Sequence, residues 1–332
     1  MKYIISTTDE TAKNMALEAW LFENREDLDE VFYLWINRPS IIIGRNQNAW
    51  GEINEDYVRK HKIGVYRRIS GGGAVYHDHQ NLNYTIISNG TTIGNFDFEQ
   101  FSQPVIRALR KMGIEAECTG RNDISIGGRK ICGNAQARRG TRVLHHGCIL
   151  FDVDLGVLGN ALKVDPAKVA SKSVKSVRAR VCNIASEMAE PITIEAFRQL
   201  IFDEMRESRP GMEALTLSEE DEREIQKIAD ERFSNPDWNW GHCPDFEMER
   251  RGRFPAGGLE VRLKVEDQRI KGIKIYGDFF SSREIVELET ALIGCPYRFE
   301  AIRDCIASQK GESFFNGISA EEAASVIAPA QD

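Results

Sequence analysis

Two short stretches hold the residues on which chemistry could be built: RRISGGGAVYHD at 67–78 and GRNDISIGGRKICGNAQ at 120–136. Glycine loses more conformational freedom on folding than any other residue. Three together, Gly71 to Gly73, therefore require a sharp turn or a partner that comes closer than a side chain would allow. A glycine loop between strands can offer backbone N–H groups to a phosphate or carboxylate. Arg68 can add a planar, permanently charged fork for the same anion. The GK[ST] ending of a Walker loop is absent, and no GxGxxG opens a helix here. In the second stretch Lys130 follows the Gly127-Gly128 pair, with Ile131, Gly133 and Ala135 alternating beyond it. Small residues beside a lysine leave room for a ligand along the strand, and the lysine could neutralise a carboxylate and then a phosphate oxygen. Asn122-Asp123 reads either as a turn or cap, or with Asp123 as a carboxylate for a magnesium ion that accompanies a nucleotide.

Other candidates are weaker. His77 and Asp78 are adjacent on a strand-like run, and strand neighbours point to opposite faces, which argues against a dyad. Trp35 and Val75 could line an apolar slot, although Trp35 reads first as an ordinary core residue. The seven cysteines are scattered without a CxxC pair, which fits neither a disulfide framework nor a zinc knuckle. The net charge of −8 disfavours bulk nucleic-acid binding. A basic stretch at 129–142, with Arg129, Lys130, Arg138, Arg139 and Arg142, could still dock an acidic partner. No apolar run reaches the roughly 20 residues needed to span a bilayer, and the N-terminus has no signal-peptide pattern, so the expectation is a cytoplasmic protein that binds neither membrane nor nucleic acid.

These residues must be positioned by strands and helices in alternation. KYIIS, VFYLWI, SIIIG, GVYRR, AVYHD and NLNYTIIS read as strands, and 10–24, NEDYVRKHK and 98–113 as helices, the last stopped by Gly113. Four more strands follow, with Gly127-Gly128 as a hairpin turn. Residues 155–235 read as mainly helical, with Asp165-Pro166 opening one helix and Pro191 preceding another. GGLEVRLKVEDQRIKGIKIYG reads as a two-stranded hairpin, and the charged MERRGR before it as an exposed linker. The expected fold is α+β: a mixed or antiparallel sheet with flanking helices at 1–246, then a small α/β domain at 247–332.

Taken together, RRISGGGAVYHD, GRNDISIGGRKICGNAQ, LHHGCIL and SVRARVCNI, with WINRPSIIIGRNQN before them and FPAGGLEVRLKVEDQRIKGIKIYGDF after, resemble the lipoate–protein ligase family over essentially the whole chain. The resemblance implies a biotin/lipoate ligase-like catalytic domain and a C-terminal accessory domain. It also implies a two-step reaction: lipoate and ATP, with Mg2+, give lipoyl-AMP and pyrophosphate, and the lipoyl group passes to a lysine of a lipoyl domain. The implied acceptors are 2-oxoacid dehydrogenase acyltransferase subunits and glycine cleavage H protein. By motif position, Lys130 matches the catalytic lysine that contacts the lipoyl carbonyl and α-phosphate. Arg68, Gly73, Ala74, Val75, Tyr76, Asp123 and His146 match ATP and lipoyl-AMP contacts, and Arg178 lies in a loop, Ser176 to Asn183, that matches one closing over the adenylate. Trp35, Gly72 and Gly133 are assigned to the lipoate tail, and Asp123 to the metal. Such a reaction brings anions together, so positive charge and backbone donors at its centre lower the barrier.

The chain departs from the family at Cys132 and Cys148, where small or hydroxyl residues are frequent, and at His79-Gln80, in a turn. A thiol at Cys148 opens a rival reading, an ATP-independent octanoyl or lipoyl transferase working through a thioester. Because Cys148 lies on an apolar run, an inert core thiol is the simpler expectation. A silent lipoyl-domain binder would not need Arg68, Lys130 and the glycine loop, and the GRGRxxR pattern of biotin ligases is absent.

Overall fold

The computed structural model describes residues 1–90, 98–120, 122–163, 181–241, 246 and 248–328. The chain divides into two compact units. The first comprises residues 1–42, 50–67 and 74–240, and the second comprises 43–49, 68–73 and 241–332.

The first unit is built on an eight-stranded mixed sheet. Its strands are β1 (Lys2–Ile5), β2 (Glu30–Trp35), β6 (Asn81–Ser88), β7 (Ala116–Thr119), β8 (Asp123–Ile126), β9 (Arg129–Arg139), β10 (Arg142–Leu150) and β11 (Glu213–Ala214), in the order β11-β1-β2-β6-β10-β9-β8-β7. A smaller sheet has the order β4-β3-β5, from Gly64–Arg67, Ser40–Ile43 and Val75–His77. Gly127 and Gly128 have φ of 55° and 74°, the left-handed pair that a tight hairpin between β8 and β9 requires.

Period-2 alternation separates the large sheet's faces. One carries Phe32, Leu34, Leu82, Tyr84 and Ile124 against Val105 and Leu109 of the helix Phe98–Lys111 and Phe197 and Ile201 of the helix Ile194–Ser208, forming the main core. The opposite face carries a cross-strand row, Trp35–Asn83–Cys148–Gly133–Asp123, each residue directly opposite the next. Beside it run Tyr33, Thr85, His146 and Ala135. Helix Thr11–Glu23 serves this second face through Glu18, which accepts from Thr85 Oγ1 at 2.6 Å and pairs with His146 Nδ1 at 2.8 Å.

The second unit contains β12 (Met248–Phe254), β13 (Gly257–Glu266) and β14 (Arg269–Gly277) as an antiparallel sheet. Leu259, Val261 and Leu263 pack there with Leu288, Ile302, Phe315 and Ile327 from the helices that follow. MERRGR is therefore not a linker. It is most of β12, paired residue by residue with β13; its charges mark a strand with exposed side chains. The helix expected at Asp165-Pro166 lies outside the described residues.

Candidate active site

A β-bulge sets the position of the central lysine. Opposite Ile124 and Ser125 on β8 stand Cys132 and Lys130 on β9, leaving Ile131 as the extra residue. In a regular strand Lys130 and Gly133, three apart, would face opposite ways. With the bulge, Ile131 and Cys132 both enter the core, each fully buried, and Lys130 turns to the row face. Its side chain lies across Gly133, where a Cβ would stand 2.7 Å from Nζ and 2.9 Å from Cε. A side chain at 133 would force the end of Lys130 to another position. Lys130 Nζ pairs with Asp123 at 2.8 Å, both side chains about a third exposed (34% and 35%). The chain returning at Val181 bridges to Lys130, and Cys182 N donates to Lys130 O at 3.0 Å.

Lys130 and Gly133 line a cavity of about 120 Å3. Ala74, Val75 and Tyr76 form another wall, Cys148 and Leu150 of β10 a third, and Val153, Asp154, Leu155 and Val181 the rim. Its surface is largely apolar with one cation at the edge, the pattern of a site for an apolar acid. Burial pushes the Tyr76 hydroxyl up to about 12, so it stays protonated and able to donate at neutral pH. Cys148 is buried as expected, but on the row face rather than in the main core: it lines the cavity, and Asn81 Nδ2 donates to its Sγ at 3.0 Å. Cys132 is the core thiol, with its pKa driven well above the usual value by burial.

Behind Lys130 a directional hydrogen-bond chain holds β8 and β9. Gln136 Nε2 donates to His145 Nδ1 at 2.9 Å, and the other ring nitrogen meets the Tyr84 hydroxyl at 3.1 Å. Tyr84 donates to Asn134 Oδ1 at 2.7 Å, and Asn134 Nδ2 donates to Asn122 O at 3.1 Å. Asn122 Nδ2 returns a bond to Asn134 O at 2.6 Å. Asn122 is thus a cross-strand clamp next to Asp123, which itself pairs with Lys130. Asn134, Tyr84 and His145 were missed from sequence. Gly147 was the available signal, since a Cβ there would sit 2.2 Å from Tyr84 and 2.3 Å from Asn134.

Trp35 is buried. It stacks on Tyr33, and its Nε1 donates to Thr85 Oγ1 at 3.0 Å. It does not line the cavity wall but ends the row that begins at Asp123. His146 is held by Glu18, close to Trp35 through Thr85. His77 Nδ1 accepts from Asn37 at 3.1 Å, while Asp78 accepts from the backbone of Gln80 and Asp154, so no dyad forms. His79 turns to Asp9 at 3.0 Å.

The glycine triplet belongs to the second unit. A Cβ on Gly71 would meet Phe279 O at 2.5 Å, and Gly72 has φ +93° with Arg68 Nη2 2.9 Å from its would-be Cβ. Gly73 faces open space. Arg68 is buried and its guanidinium binds the loop itself: Nη2 donates to Gly71 O at 2.7 Å and to Gly73 O at 2.8 Å, Nε to Ser70 Oγ at 3.0 Å. Gly72 is thereby explained by loop geometry rather than by a tail pocket, and Arg68 shapes the loop that was expected to receive an anion with its help. Arg67 is structural too, bonding Trp238 O at 2.8 Å and Asn239 O at 3.1 Å.

Part of the basic stretch is tied down by the fold, while the Arg139 side chain stays 59% exposed. Arg129 pairs with Glu187 at 2.9 Å, and Arg139 donates to Glu23 O at 2.9 Å. Arg142 is buried against the end of helix Thr11–Glu23, donating to Leu21 O, Phe22 O, Arg25 O and Leu28 O. Arg178 lies outside the described residues; Val181 and Cys182 of the same loop are those seen against Lys130. Among the described residues no cluster of three or more His, Cys, Asp or Glu could hold a metal, and no helix is long and apolar enough to cross a membrane.

The α+β fold and the lysine-edged apolar cavity define a small-ligand site, and comparison with known proteins supplies the class. Residues 10–206 match the lipoyl protein ligase A/B catalytic domain, and residues 243–327 the bacterial lipoate protein ligase C-terminus. Lipoate–protein ligase 1 of Staphylococcus aureus is 39% identical, covering 97% of this chain and 98% of its own. Lipoate-protein ligase LplJ of Bacillus subtilis is 38% identical, covering 93% and 94%. Among solved structures, Plasmodium falciparum LipL1 in complex with lipoate aligns with a TM-score of 0.79 at 26% identity, covering 92% of this chain and 94% of that one. A lipoate-protein ligase A bound with ATP gives 0.62 at 26%, covering 72% and 98%. A structure from the Thermoplasma acidophilum lipoylation system, described as a bi-partite lipoate protein ligase and its E2 lipoyl domain, gives 0.63 at 27%, covering 74% and 98%. The chain belongs to the lipoate–protein ligase family.

Proposed function

We propose that the protein activates lipoate with ATP as lipoyl-AMP and transfers the lipoyl group to a lysine of a lipoyl domain. The observation that carries this is Lys130, bulged out of the core and laid over Gly133 at the edge of an apolar cavity. In the first step the lipoate carboxylate attacks the α-phosphorus and pyrophosphate leaves. Lys130, brought near both, offsets the charge where two anions meet. In the second step the acceptor amine attacks the mixed-anhydride carbonyl, polarised by Lys130, and AMP departs with the bonding pair. Tyr76 offers a donor along the same wall, which Ala74 and Val75 share. Asp123 is the carboxylate suited to Mg2+, which often takes one or two carboxylates plus substrate phosphates; when bound, the ion would neutralise phosphate charge. Asp123 meanwhile holds Lys130 in place.

The bound ligands and the lipoyl domain named for the related structures support ATP, lipoate and that acceptor class. Dehydrogenase acyltransferase subunits and glycine cleavage H protein are proposed acceptors, with residues 1–246 catalytic and 247–332 accessory. Cys148 in the cavity wall keeps the thioester transferase as a second reading. Pyrophosphate release from ATP separates the two. Lipoate-dependent release that falls about 100-fold or more in Lys130→Ala is expected. Lipoyl transfer without ATP that is abolished by Cys148→Ser would overturn it.

A further inference from the structure

We propose that Asn83 recognises the sulfur end of the acyl chain and makes the site prefer lipoate to octanoate. The inference rests on the lipoate-activating reading above. Asn83 is 1% exposed in the middle of a sheet, yet its side-chain Nδ2 has no hydrogen-bond partner among the described residues. A buried donor without a partner is uncommon and calls for a reason. Its place supplies one. Asn83 lies directly opposite Cys148, which lines the cavity, and on its other side opposite Trp35. Directly opposed residues share a face with their Cβ atoms about 5 Å apart, so the amide stands one strand further in than the cavity wall.

The row also has a polarity. Its Gly133 and Asp123 end holds Lys130, the cation for a carboxyl group, and its Trp35 end is aromatic. Asn83's strand is two steps from that of Gly133, about 10 Å at the usual strand spacing. That is comparable with the extended reach of an octanoyl or lipoyl chain. With the head at Lys130, a chain lying across the strands passes Cys148 and brings its far end to Asn83. Lipoate carries two sulfurs there, weak acceptors, whereas octanoate carries only carbon and hydrogen. The same face already carries an amide-to-sulfur bond, from Asn81 Nδ2, in the neighbouring row, to Cys148 Sγ at 3.0 Å. A site built to donate to a substrate group rejects the analogue that lacks it, because the donor is then left unpaired.

The test is steady-state pyrophosphate release by the full chain, with kcat/KM measured for lipoate and for octanoate in wild type, Asn83→Leu and Asn83→Ala. The lipoate-to-octanoate ratio is expected to fall about tenfold in both variants, with octanoate turnover kept or raised, which also shows that the variants are folded. A ratio within twofold of wild type in the variants overturns the assignment. An equal loss for both acids does so too, since that is what a merely structural Asn83 would give. Wild type that releases pyrophosphate with neither acid overturns instead the activation reading on which the inference rests.

Discussion

At the scale of single residues, charge in the sequence and charge available in the fold are different quantities. Arg142 sits in a stretch that reads as a basic docking patch, but its guanidinium collects four carbonyls at the end of helix Thr11–Glu23. Leu21 O and Phe22 O are orphan acceptors of the kind a helix C-terminus leaves, Arg25 O and Leu28 O belong to the turn beyond it, and a cation is favoured beside them. Replacing Arg142 with Met is expected to strand them at a loss of about 3 kcal/mol. Thermal unfolding should then occur roughly 5–10 °C lower, with activity per folded molecule unchanged at low temperature. An unaltered melting temperature would contradict the capping role. The acceptors lie more than a hundred positions away in sequence, so no local pattern around Arg142 could announce them. Lys130 was legible for the opposite reason, because the glycines that make room for it are its neighbours.

At the scale of elements, the two glycine devices do different work. The Gly127-Gly128 hairpin and most strands of the large sheet follow from alternation and turn residues, whereas their spatial order does not. The bulge at Ile131 does not, since the sequence KICG carries no sign of which residue will be extra. In the 71–73 loop, Gly71 is fixed by the close approach of Phe279 O, while Gly73 faces open space. Gly71→Ala should therefore destabilise by about 2 kcal/mol, the usual scale for forcing an extra methyl against fixed atoms, seen as an earlier denaturant midpoint. Gly73→Ala should leave that midpoint within about 0.5 kcal/mol of wild type. If a nucleotide does approach this backbone, the same variant raises the KM for ATP several-fold. Equal destabilisation by both would refute the distinction. The reading of MERRGR as a linker failed on similar grounds: a strand with exposed charged side chains looks like a loop until its hydrogen-bonded partner is known.

At the scale of the whole molecule, buried titratable groups set how stability follows pH. Burial holds the His145 imidazole well below its usual value near 6.5, so the folded state keeps it neutral. The unfolded chain takes up that proton as pH falls through about 6.5. Protons then bind the unfolded state preferentially, and stability declines below that pH by up to about 1.4 kcal/mol per unit. Melting temperatures between pH 7 and 5 should show this slope in wild type and a flatter one in His145→Gln; parallel slopes would exclude His145 as the source. The second unit has a different consequence. Its glycine loop, residues 68–73, is joined in one compact body with residues near the far end of the chain, Phe279 among them. On a ribosome, that loop emerges long before the segment against which its glycines are shaped. Translation of the last stretch therefore supplies the backbone against which Gly71 is packed.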